Sequence, residues 1–298
     1  MNYSIKTKDL AGRPVAEKVY FDISAKIKRL LTKNIIPKLS AILVGDNPAS
    51  KIYVNSKKKM FLNMGCKSEV HHLPKDTNEP KLLDLINKLN NNQLVHGILL
   101  QLPLPNHLNA DSIIKKINPK KDVDGFHPEN LGYLLQGSPR FIPCTPHGCI
   151  EILKYYKIDI KSKHVVIIGR SNIVGKPLMV LLSQKFEIGN ATVTICHSQS
   201  NDLHQFTSIA DVIILATGQP KLLTSNMIKR GAVIIDVGIN KIDDDSKRGY
   251  SIVGDADYDS LLEKASAITP VPGGVGPMTI AMLLRNTVLS AEKHLQSN

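Results

Sequence analysis

The sequence predicts an α/β protein of two domains, each built on a mainly parallel sheet. In the first half, short apolar runs such as KLSAILVG alternate with helix-like stretches, which is the order found in βαβ units. In the second half this order begins again with almost continuous Val/Ile runs, which are typical of parallel strands buried on both faces. The 298 residues are enough for two cores of ordinary domain size.

The first domain is expected over residues 1–145. A strand in KLSAILVG is followed by a polar helix that runs to Met64, a helix in KLLDLINKLN and a strand in VHGILLQLPLP. A Pro-rich stretch then crowds turn-forming residues between weakly periodic pieces, which marks the domain junction. The segment CIEILKYYKI is predicted to be the connecting helix.

The second domain is expected over residues 146–277. Its strands are predicted in HVVIIG, ATVTIC, DVIILAT, AVIID and SIVGD, with helix-like or turn segments between them. The segment MTIAMLLRNTVLSAEKHL predicts a last helix, and residues 278–298 are expected to pack back on the first domain.

Composition and charge exclude several classes of protein. A hydrophobic fraction of 42% and short apolar runs argue against disorder and against a membrane protein. The net charge of +12 favours anionic partners, but the basic residues are dispersed, without zinc-finger spacing or an aromatic RNA-binding segment, so no nucleic-acid partner is expected. The N-terminus has neither a secretory nor a transit pattern, which predicts a cytoplasmic protein.

The four cysteines are scattered and form no C-x-x-C pair. This spacing indicates neither a structural zinc site nor a thioredoxin-type motif, so no metal site is expected. Reduced and mostly buried thiols are the prediction.

The segment HVVIIGRSNIVGKP predicts a strand, a turn at Gly169 and a helix whose first N–H groups can hold a pyrophosphate. Ser171 stands where a dinucleotide fingerprint has its second glycine, so the signal is weak and a plain strand–turn–helix is the alternative. The next strand runs into His197 and Ser198, and its first acid is Asp202. Without a carboxylate to repel a ribose phosphate, and with Arg170, Ser171, Ser198 and His197 able to bind one, NADP is favoured over NAD. An ordinary exposed loop residue is the alternative for His197.

Lys57 interrupts an apolar stripe on the polar helix. With about 100° between successive residues, Tyr53, Lys57, Met60 and Met64 project within one arc. A lysine that faces an interior loses solvation, which lowers its pKa and provides a neutral amine for acid–base work. The alternative is that the stem lies over the core while the ammonium group reaches water.

Three other segments carry candidate site residues. Gln101 follows the strand GILL, at the end where open α/β sheets place ligands. Asp122 and Asp124 in KDVDG can pair with the N–H edge of a heterocycle, or serve only as turn or cap residues. The segment ITPVPGGVGPMT predicts a stiff loop that a ligand can approach closely, or a structural turn before the last helix.

These motifs together resemble the bifunctional methylenetetrahydrofolate dehydrogenase/cyclohydrolase family over essentially the whole chain. The matching segments, in family order, are VGDNPASKIYVNSKKK, GILLQLPLP, KDVDGFHPENLG, PCTPHG, GRSNIVGKP, ATVTICHS, DVIILATGQP, IIDVGIN, GDAD and TPVPGGVGPMT. The resemblance implies a homodimer, each protomer having a folate-binding catalytic domain, a Rossmann-type NADP-binding domain and a cleft between them. It also implies NADP-linked oxidation of 5,10-methylenetetrahydrofolate, hydrolysis of the product to 10-formyltetrahydrofolate, and a role in purine, methionine and histidine biosynthesis.

The resemblance also assigns roles to residues. It makes Lys57 the catalytic lysine, Tyr53 a contact of the folate ring, Gln101 the hydrogen-bond partner of the lysine, and Asp124 the acid that holds the pterin. Ser50 supports this cluster. The expected substrates are tetrahydrofolates, with or without a polyglutamate tail. Further substrate contacts are expected at Pro272, Gly273 and Gly274, and cofactor contacts at Gly169, Arg170, Ser171, Ser198 and Ile239. The competing hypothesis is another NADP-dependent small-molecule dehydrogenase, similar to shikimate dehydrogenase.

Overall fold

A computed structural model describes residues 6–245 and 249–297. The chain forms two compact units, one made of Glu17–Cys144 with the residues from Ile280 onward, the other of Thr145–Thr279 with the described residues up to Ala16. The first contains a three-stranded parallel sheet and the second a six-stranded parallel sheet. The predicted α/β class with parallel sheets is therefore confirmed. We call them the three-stranded unit and the six-stranded unit.

The three-stranded unit has the strand order β3-β2-β4, so its central strand is the first of the three in the chain. Its core lies between this sheet and the helices around it, with Ile42, Leu82, Ile86 and Ile98 in one buried cluster. Its elements are β2 (Lys38–Val44), α2 (Pro48–Asn63), β3 (Lys67–Leu73), α3 (Glu79–Asn91), β4 (Gly97–Leu100), α4 (Ala110–Ile114) and α5 (Pro128–Leu135), with most of α1 (Gly12–Leu31) and α10 (Val275–Ser297).

Local signals set where α2 begins. The Asn47 side chain accepts a hydrogen bond from the Ser50 backbone N–H at 3.1 Å, and Pro48 occupies the first turn, where its missing N–H costs nothing. This start sets which residues of α2 face the sheet.

The C-terminal helix α10 packs within the three-stranded unit through buried polar side chains. Asn286 Nδ2 donates to the carbonyl oxygens of Val123 at 2.8 Å and Ile142 at 3.0 Å. One turn later, Ser290 Oγ donates to the carbonyl oxygen of His96 at 2.7 Å. These bonds connect α10 to the segment that carries Asp122 and Asp124.

The six-stranded unit has the strand order β1-β11-β8-β7-β5-β6. Its interior strand β7 consists of buried Val, Ile and Leu residues, and so does β5 after the half-buried His164, as the sequence predicts. Its elements are β1 (Lys8–Asp9), α6 (Cys144–Tyr155), β5 (His164–Ile168), α7 (Gly175–Ser183), β6 (Thr192–Cys196), α8 (Leu203–Thr207), β7 (Val212–Leu215), a 3₁₀ turn (Ser225–Met227), β8 (Val233–Asp236), β9 (Asn240–Asp243), β10 (Tyr250–Val253), α9 (Tyr258–Leu261) and β11 (Ala267–Ile268).

Two elements of this unit differ from the sequence prediction. The strand predicted in SIVGD is β10, which pairs antiparallel with β9 in a separate two-stranded sheet. The residues of both strands are half-buried or exposed. The main sheet is extended instead by β11 and β1. The Lys8 N–H donates to Ser266 at 2.9 Å, so residues 6–16 lie in the six-stranded unit, whereas the predicted first domain begins at residue 1.

All four cysteines are free and buried, as predicted. Within residues 6–245 and 249–297, no group of three or more His, Cys, Asp or Glu side chains is arranged to hold a metal ion. Nor does any helix in the described part of the chain combine the length and the apolar character needed to cross a membrane.

Candidate active site and nucleotide site

Helix α2 directs Lys57 into the three-stranded unit. The residue is only 4% exposed and shares the buried face of the helix with Ser50, Val54 and Phe61. The predicted partners Tyr53, Met60 and Met64 are half-buried, so the apolar face is turned by one position from the predicted arc. The alternative in which the ammonium group reaches water is wrong.

Gln101 fixes the position of the buried amine. It directly follows β4, and its Oε1 accepts a hydrogen bond from Lys57 Nζ at 3.1 Å. Its own Nε2 donates to the carbonyl oxygen of Leu102 at 2.7 Å, which determines that the amide oxygen faces the lysine. The carboxyl end of β4 and helix α2 therefore meet at the Lys57–Gln101 pair.

Tyr53 lies one helical turn before Lys57, and its ring centroid is 5.0 Å from Nζ. At this distance the aromatic ring stabilises the ammonium form. Ser50 lies at the first turn of the same helix and is 5% exposed. The structure thus places Ser50, Tyr53, Lys57 and Gln101 in the three-stranded unit, and the supporting role of Ser50 stays a prediction.

The two aspartates of KDVDG have different environments. Asp122 is buried and accepts hydrogen bonds from the His127 N–H and from Asn130 Nδ2, both at 2.8 Å. It is therefore a turn-forming residue. Asp124 is partly buried and interacts electrostatically with Lys57. Of the two, Asp124 alone faces the lysine.

Burial shifts the pKa values of this cluster toward neutral forms. It lowers the pKa of Lys57, although the negative charge of Asp124 partly opposes the shift. Burial raises the pKa of Asp124, and the nearby Asp122 adds to that rise while Lys57 opposes it. A neutral amine is therefore accessible at lower pH than for a lysine in water.

Cys144 also belongs to this cluster, a role that the sequence does not predict. Its thiol donates a hydrogen bond to the carbonyl oxygen of Val123 at 3.4 Å and interacts with Asp124. Burial raises the pKa of this thiol well above its ordinary value, so it stays protonated. The segment PCTPHG was part of the resemblance, but nothing in its spacing shows that its cysteine lies beside Asp124.

A cavity of about 250 Å³ lies at the carboxyl ends of the six-stranded sheet, after β5, β6 and β7. Its lining includes Gly169, Arg170, His197, Ser198 and Thr217. No carboxylate is among these lining residues. An exposed guanidinium beside hydroxyl groups suits a phosphorylated ribose, so the donor set fits the predicted NADP.

The turn after β5 depends on Gly169. Its φ is +126°, a value that side chains with a Cβ rarely adopt, and a Cβ there would overlap the carbonyl oxygen of Ala216. The N–H of Gly169 donates to Cys196 at 2.8 Å, which ties the turn to the end of β6. The predicted tight turn is confirmed.

Ser171 and Ile239 are placed differently from the other predicted cofactor contacts. Ser171 Oγ accepts hydrogen bonds from the N–H groups of Val174 at 3.1 Å and Gly175 at 3.4 Å, so it stabilises the start of α7. It does not line the cavity, and neither does Ile239, which is exposed. Direct contact of these two residues with the cofactor remains a prediction.

Asp202, the first acid after β6, is the N-cap of α8. Its Oδ1 accepts a hydrogen bond from the His204 N–H at 3.2 Å, and the residue does not line the cavity. His197 lines the cavity and also accepts a hydrogen bond from Gln199 through Nδ1 at 3.2 Å. In the folded chain, therefore, no carboxylate that follows β6 lines the nucleotide cavity.

Asp255 is a second residue whose role the sequence does not predict. It is fully buried, and its Oδ2 accepts from the Thr217 N–H at 2.7 Å, the Thr217 hydroxyl at 2.9 Å and the Gly218 N–H at 3.0 Å. Its Oδ1 accepts from Asn240 Nδ2 at 2.8 Å. One carboxylate thus holds the loop that forms a wall of the nucleotide cavity.

Replacing Asp255 with asparagine should raise the KM for the dinucleotide about three- to tenfold and lower the free energy of unfolding by about 1–3 kcal/mol. The carboxylate has two acceptor oxygens, whereas the amide of asparagine has only one. Either the donors of Thr217 and Gly218 or the Asn240 amide would therefore lose their acceptor. Steady-state kinetics and urea unfolding measure the two effects. The exposed Asp243→Asn is the matched control and should change neither; an unchanged KM in Asp255→Asn would contradict the positioning role.

The predicted loop Pro272, Gly273 and Gly274 belongs to the six-stranded unit. Gly273 has φ +113°, and its carbonyl oxygen accepts from the Gly12 N–H at 2.8 Å. The Gly274 N–H donates to Pro270 at 2.8 Å. The loop is therefore held through its backbone, as its Pro/Gly composition predicts, while its contact with substrate remains a prediction.

Comparisons with known proteins agree with this description. Residues 10–124 match the family described as tetrahydrofolate dehydrogenase/cyclohydrolase, catalytic domain, and residues 143–295 match its NAD(P)-binding domain. The bifunctional protein FolD of Salinibacter ruber is 50% identical over 283 residues, which cover 95% of each protein.

Two solved structures are similar over nearly their whole length. The FolD methylenetetrahydrofolate dehydrogenase/cyclohydrolase from Campylobacter jejuni is 49% identical, with a TM-score of 0.89 and coverage of 96% of this chain and 99% of that one. The Trypanosoma brucei enzyme, complexed with NADP and an inhibitor, is 34% identical, with a TM-score of 0.92 and coverage of 98% and 99%. The protein therefore belongs to the tetrahydrofolate dehydrogenase/cyclohydrolase family.

Proposed function

We propose that the protein is a bifunctional enzyme that oxidises 5,10-methylenetetrahydrofolate with NADP and then hydrolyses the methenyl product to 10-formyltetrahydrofolate. The observation that carries the proposal is the buried Lys57 amine, hydrogen-bonded to Gln101 and facing Asp124, in a chain of this family. The competing hypothesis of a shikimate dehydrogenase-like enzyme is disfavoured because both parts of the chain match the tetrahydrofolate dehydrogenase/cyclohydrolase family.

The dehydrogenase step depends on how the folate ring is oriented relative to the nicotinamide. NADP, when bound, accepts the hydride. The folate nitrogens stabilise the cation that develops, so the chain has to position the folate ring. Tyr53 offers an aromatic face beside Lys57, and Asp124 offers a carboxyl group for the N–H edge of the pterin. Ser50, Pro272, Gly273 and Gly274 complete the proposed substrate contacts, which rest on the resemblance.

The cyclohydrolase step requires proton transfer. A water molecule must lose a proton as it attacks the methenyl carbon, and a ring nitrogen must gain one as the carbon–nitrogen bond breaks. Neutral Lys57 takes one proton from water, which gives a neutral carbinolamine, and the resulting ammonium donates that proton to the ring nitrogen. The remaining hydroxyl proton passes to solvent as the formyl C=O forms, so one proton is released overall. Gln101 Oε1 holds Nζ through both states because it accepts a hydrogen bond from either the amine or the ammonium.

The cofactor preference follows from the nucleotide cavity. Arg170 and Ser198 line it, and no carboxylate does, so a 2′-phosphate finds donors and no repelling charge. Ser171 and Ile239 are proposed contacts on the strength of the resemblance, while Gly169 allows the turn on which the pyrophosphate lies.

One coupled assay tests the proposal. Methylenetetrahydrofolate is mixed with NADP or NAD, and the absorbances of reduced nicotinamide and of the methenyl product are followed together. We expect reduction that requires folate, a higher kcat/KM with NADP, and subsequent decay of the methenyl signal. Reduction that does not depend on folate would refute the proposal.

The pH dependence of hydrolysis should report the Lys57–Asp124 pair. The fraction of neutral Lys57 grows as pH rises through its pKa, so the rate should increase with pH along a limb that lies below the ordinary lysine pKa of about 10.4. In Asp124→Asn, the negative charge that raises the pKa of Lys57 is lost, so the midpoint should move to lower pH.

Cyclohydrolase kcat measured against pH gives both midpoints. Asp76→Asn removes an exposed carboxylate of the same unit and should leave the midpoint where it is in the unmodified enzyme. A midpoint that stays fixed or moves to higher pH in Asp124→Asn would show that Lys57 is not the titrating base.

Homodimerisation and a cytoplasmic location belong to the same proposal. The support for the dimer is the family resemblance. Sedimentation velocity of the purified protein tests the dimer, and a species at the mass of one chain would contradict it.

A further inference from the structure

A positively charged cavity of about 440 Å³ lies in the three-stranded unit, between the end of α3, the start of β4 and the last turns of α10. No carboxylate is among its lining residues. The basic groups that line it are Lys120, Lys121, Arg140, Lys293, His96 and His294.

This cavity is separate from the catalytic cluster. His96 precedes β4 and Gln101 follows it, and the four residues of the strand span about 13 Å at roughly 3.3 Å per residue. The cavity therefore lies at the amino end of the strand whose carboxyl end carries Gln101, and the mechanism proposed above does not use it.

Hydrogen bonds hold the basic groups in place. Ser290 Oγ donates to the carbonyl oxygens of His96 at 2.7 Å and Lys120 at 3.0 Å, which joins three sides of the cavity. Lys121 Nζ donates to carbonyl oxygens at the end of α3, at 3.1, 2.8 and 2.7 Å, those of Leu89, Asn90 and Asn92. Lys121 thus contributes a fixed charge, since its three N–H bonds are already used.

His96 supplies a directed donor. Its Nδ1 accepts a hydrogen bond from the Lys38 N–H at 3.2 Å, so the ring proton is on Nε2. Burial and the charges of His294 and Lys121 lower the pKa of His96 to about 4, so the ring is neutral at pH 7. The residue is 6% exposed and lines the cavity.

Two of the cations, Arg140 and Lys293, lie close together at the cavity. Arg140 pairs with Glu129 at 2.6 Å, and Glu129 does not line the cavity. Lys120 is exposed and Lys293 lies 3.4 Å from the Arg140 carbonyl oxygen. Burial and the charge of Arg140 lower the pKa of Lys293. Repulsion between such close positive charges is unfavourable, and a bound anion would offset it.

We propose that this cavity binds a small polyanion that carries phosphate or carboxylate groups. Lys120 and Lys293 are the cations proposed to contact the anion, His96 is a neutral donor, and Lys121 and Arg140 are charges held on the walls. The volume lies in the range of small-molecule sites and exceeds that of a single phosphate ion, which favours an organic or condensed anion.

Isothermal titration calorimetry tests the proposal, with pyrophosphate and citrate as probes and saturating NADP present to fill the nucleotide cavity. We expect one molecule of at least one probe per chain. The variant Lys120→Gln/Lys293→Gln should bind about tenfold more weakly or worse, since charge-assisted hydrogen bonds are lost. Binding of pyrophosphate alone identifies a phosphate ligand, and binding of citrate alone a carboxylate.

The matched control is Lys28→Gln/Lys81→Gln, which removes the same charge from exposed positions of the same unit and should bind within about twofold of the unmodified protein. His96→Asn keeps an acceptor for the Lys38 N–H, removes the Nε2 donor and should also weaken binding. Equal weakening in both double variants, unchanged affinity in the cavity variant, or no binding of either probe would overturn the proposal. Thermal unfolding without probe checks that each variant is folded.

Discussion

Replacing Lys57 with methionine should lower the cyclohydrolase kcat by about 10²–10⁴-fold, the usual contribution of a general acid–base group. Methionine fills much of the space of the lysine stem but offers no proton-transferring nitrogen. Dehydrogenase activity should fall less, because hydride transfer depends mainly on orientation. The two activities are measured separately, with methenyltetrahydrofolate and with methylenetetrahydrofolate plus NADP.

Two further variants separate proton transfer from other roles of Lys57. Lys58→Met changes the next residue of α2, which is exposed, and should leave both activities unchanged. Lys57→Arg keeps a positive charge that does not titrate in proteins, so it should fail to restore hydrolysis. Full cyclohydrolase activity in Lys57→Met, or restored activity in Lys57→Arg, would refute the role as a base.

The periodicity of α2 shows why the sequence predicts some of this site and not the rest. Lys57 belongs both to the predicted stripe of Tyr53, Met60 and Met64 and to the observed buried face of Val54 and Phe61. Apolar residues lie at adjacent positions of the helix, so periodicity leaves the face uncertain by one residue. The hydrogen bond between Lys57 and Gln101, which is 44 residues away in the chain, then distinguishes the two possible faces.

Long-range pairing also explains the errors in the fold. The segment around Lys8 is polar and carries no strand signal, yet it forms β1 because its backbone pairs with β11, more than 250 residues later. β10 has a strand signal and forms a strand, but nothing in four residues distinguishes a member of a hairpin from one of a parallel sheet. The central strands were predictable because burial on both faces requires unbroken apolar runs.

Asp122 and Asp255 show a similar limit of sequence-based prediction at the two candidate sites. Both were visible in recognisable motifs, KDVDG and GDAD. The first turned out to hold a turn, through His127 and Asn130, and the second to hold the loop of Thr217. A carboxylate that accepts backbone N–H groups and one that faces a ligand have the same sequence signal, and the surrounding donors separate them.

Replacing Gly175 with alanine should lower kcat/KM for NADP about 10- to 100-fold and reduce the free energy of unfolding by about 1–3 kcal/mol, the cost of overpacking. A Cβ at Gly175 would overlap the Gly169 carbonyl oxygen and lie 2.7 Å from the carbonyl carbon. Both are backbone atoms of the turn that lines the nucleotide cavity, so the turn has to move away from α7.

Gly132→Ala is the matched control for this substitution. Gly132 lies within α5, is exposed, and has no atom within 4 Å of an added Cβ. Alanine there should stabilise the protein by about 0.5–1 kcal/mol, because glycine loses more backbone freedom in a helix. Urea unfolding and initial rates with varied NADP distinguish the two. Gly175→Ala with unchanged kcat/KM would mean that the contact between Gly175 and Gly169 does not shape the nucleotide site, whereas loss of NADP affinity with cyclohydrolase activity intact would locate the damage at that turn.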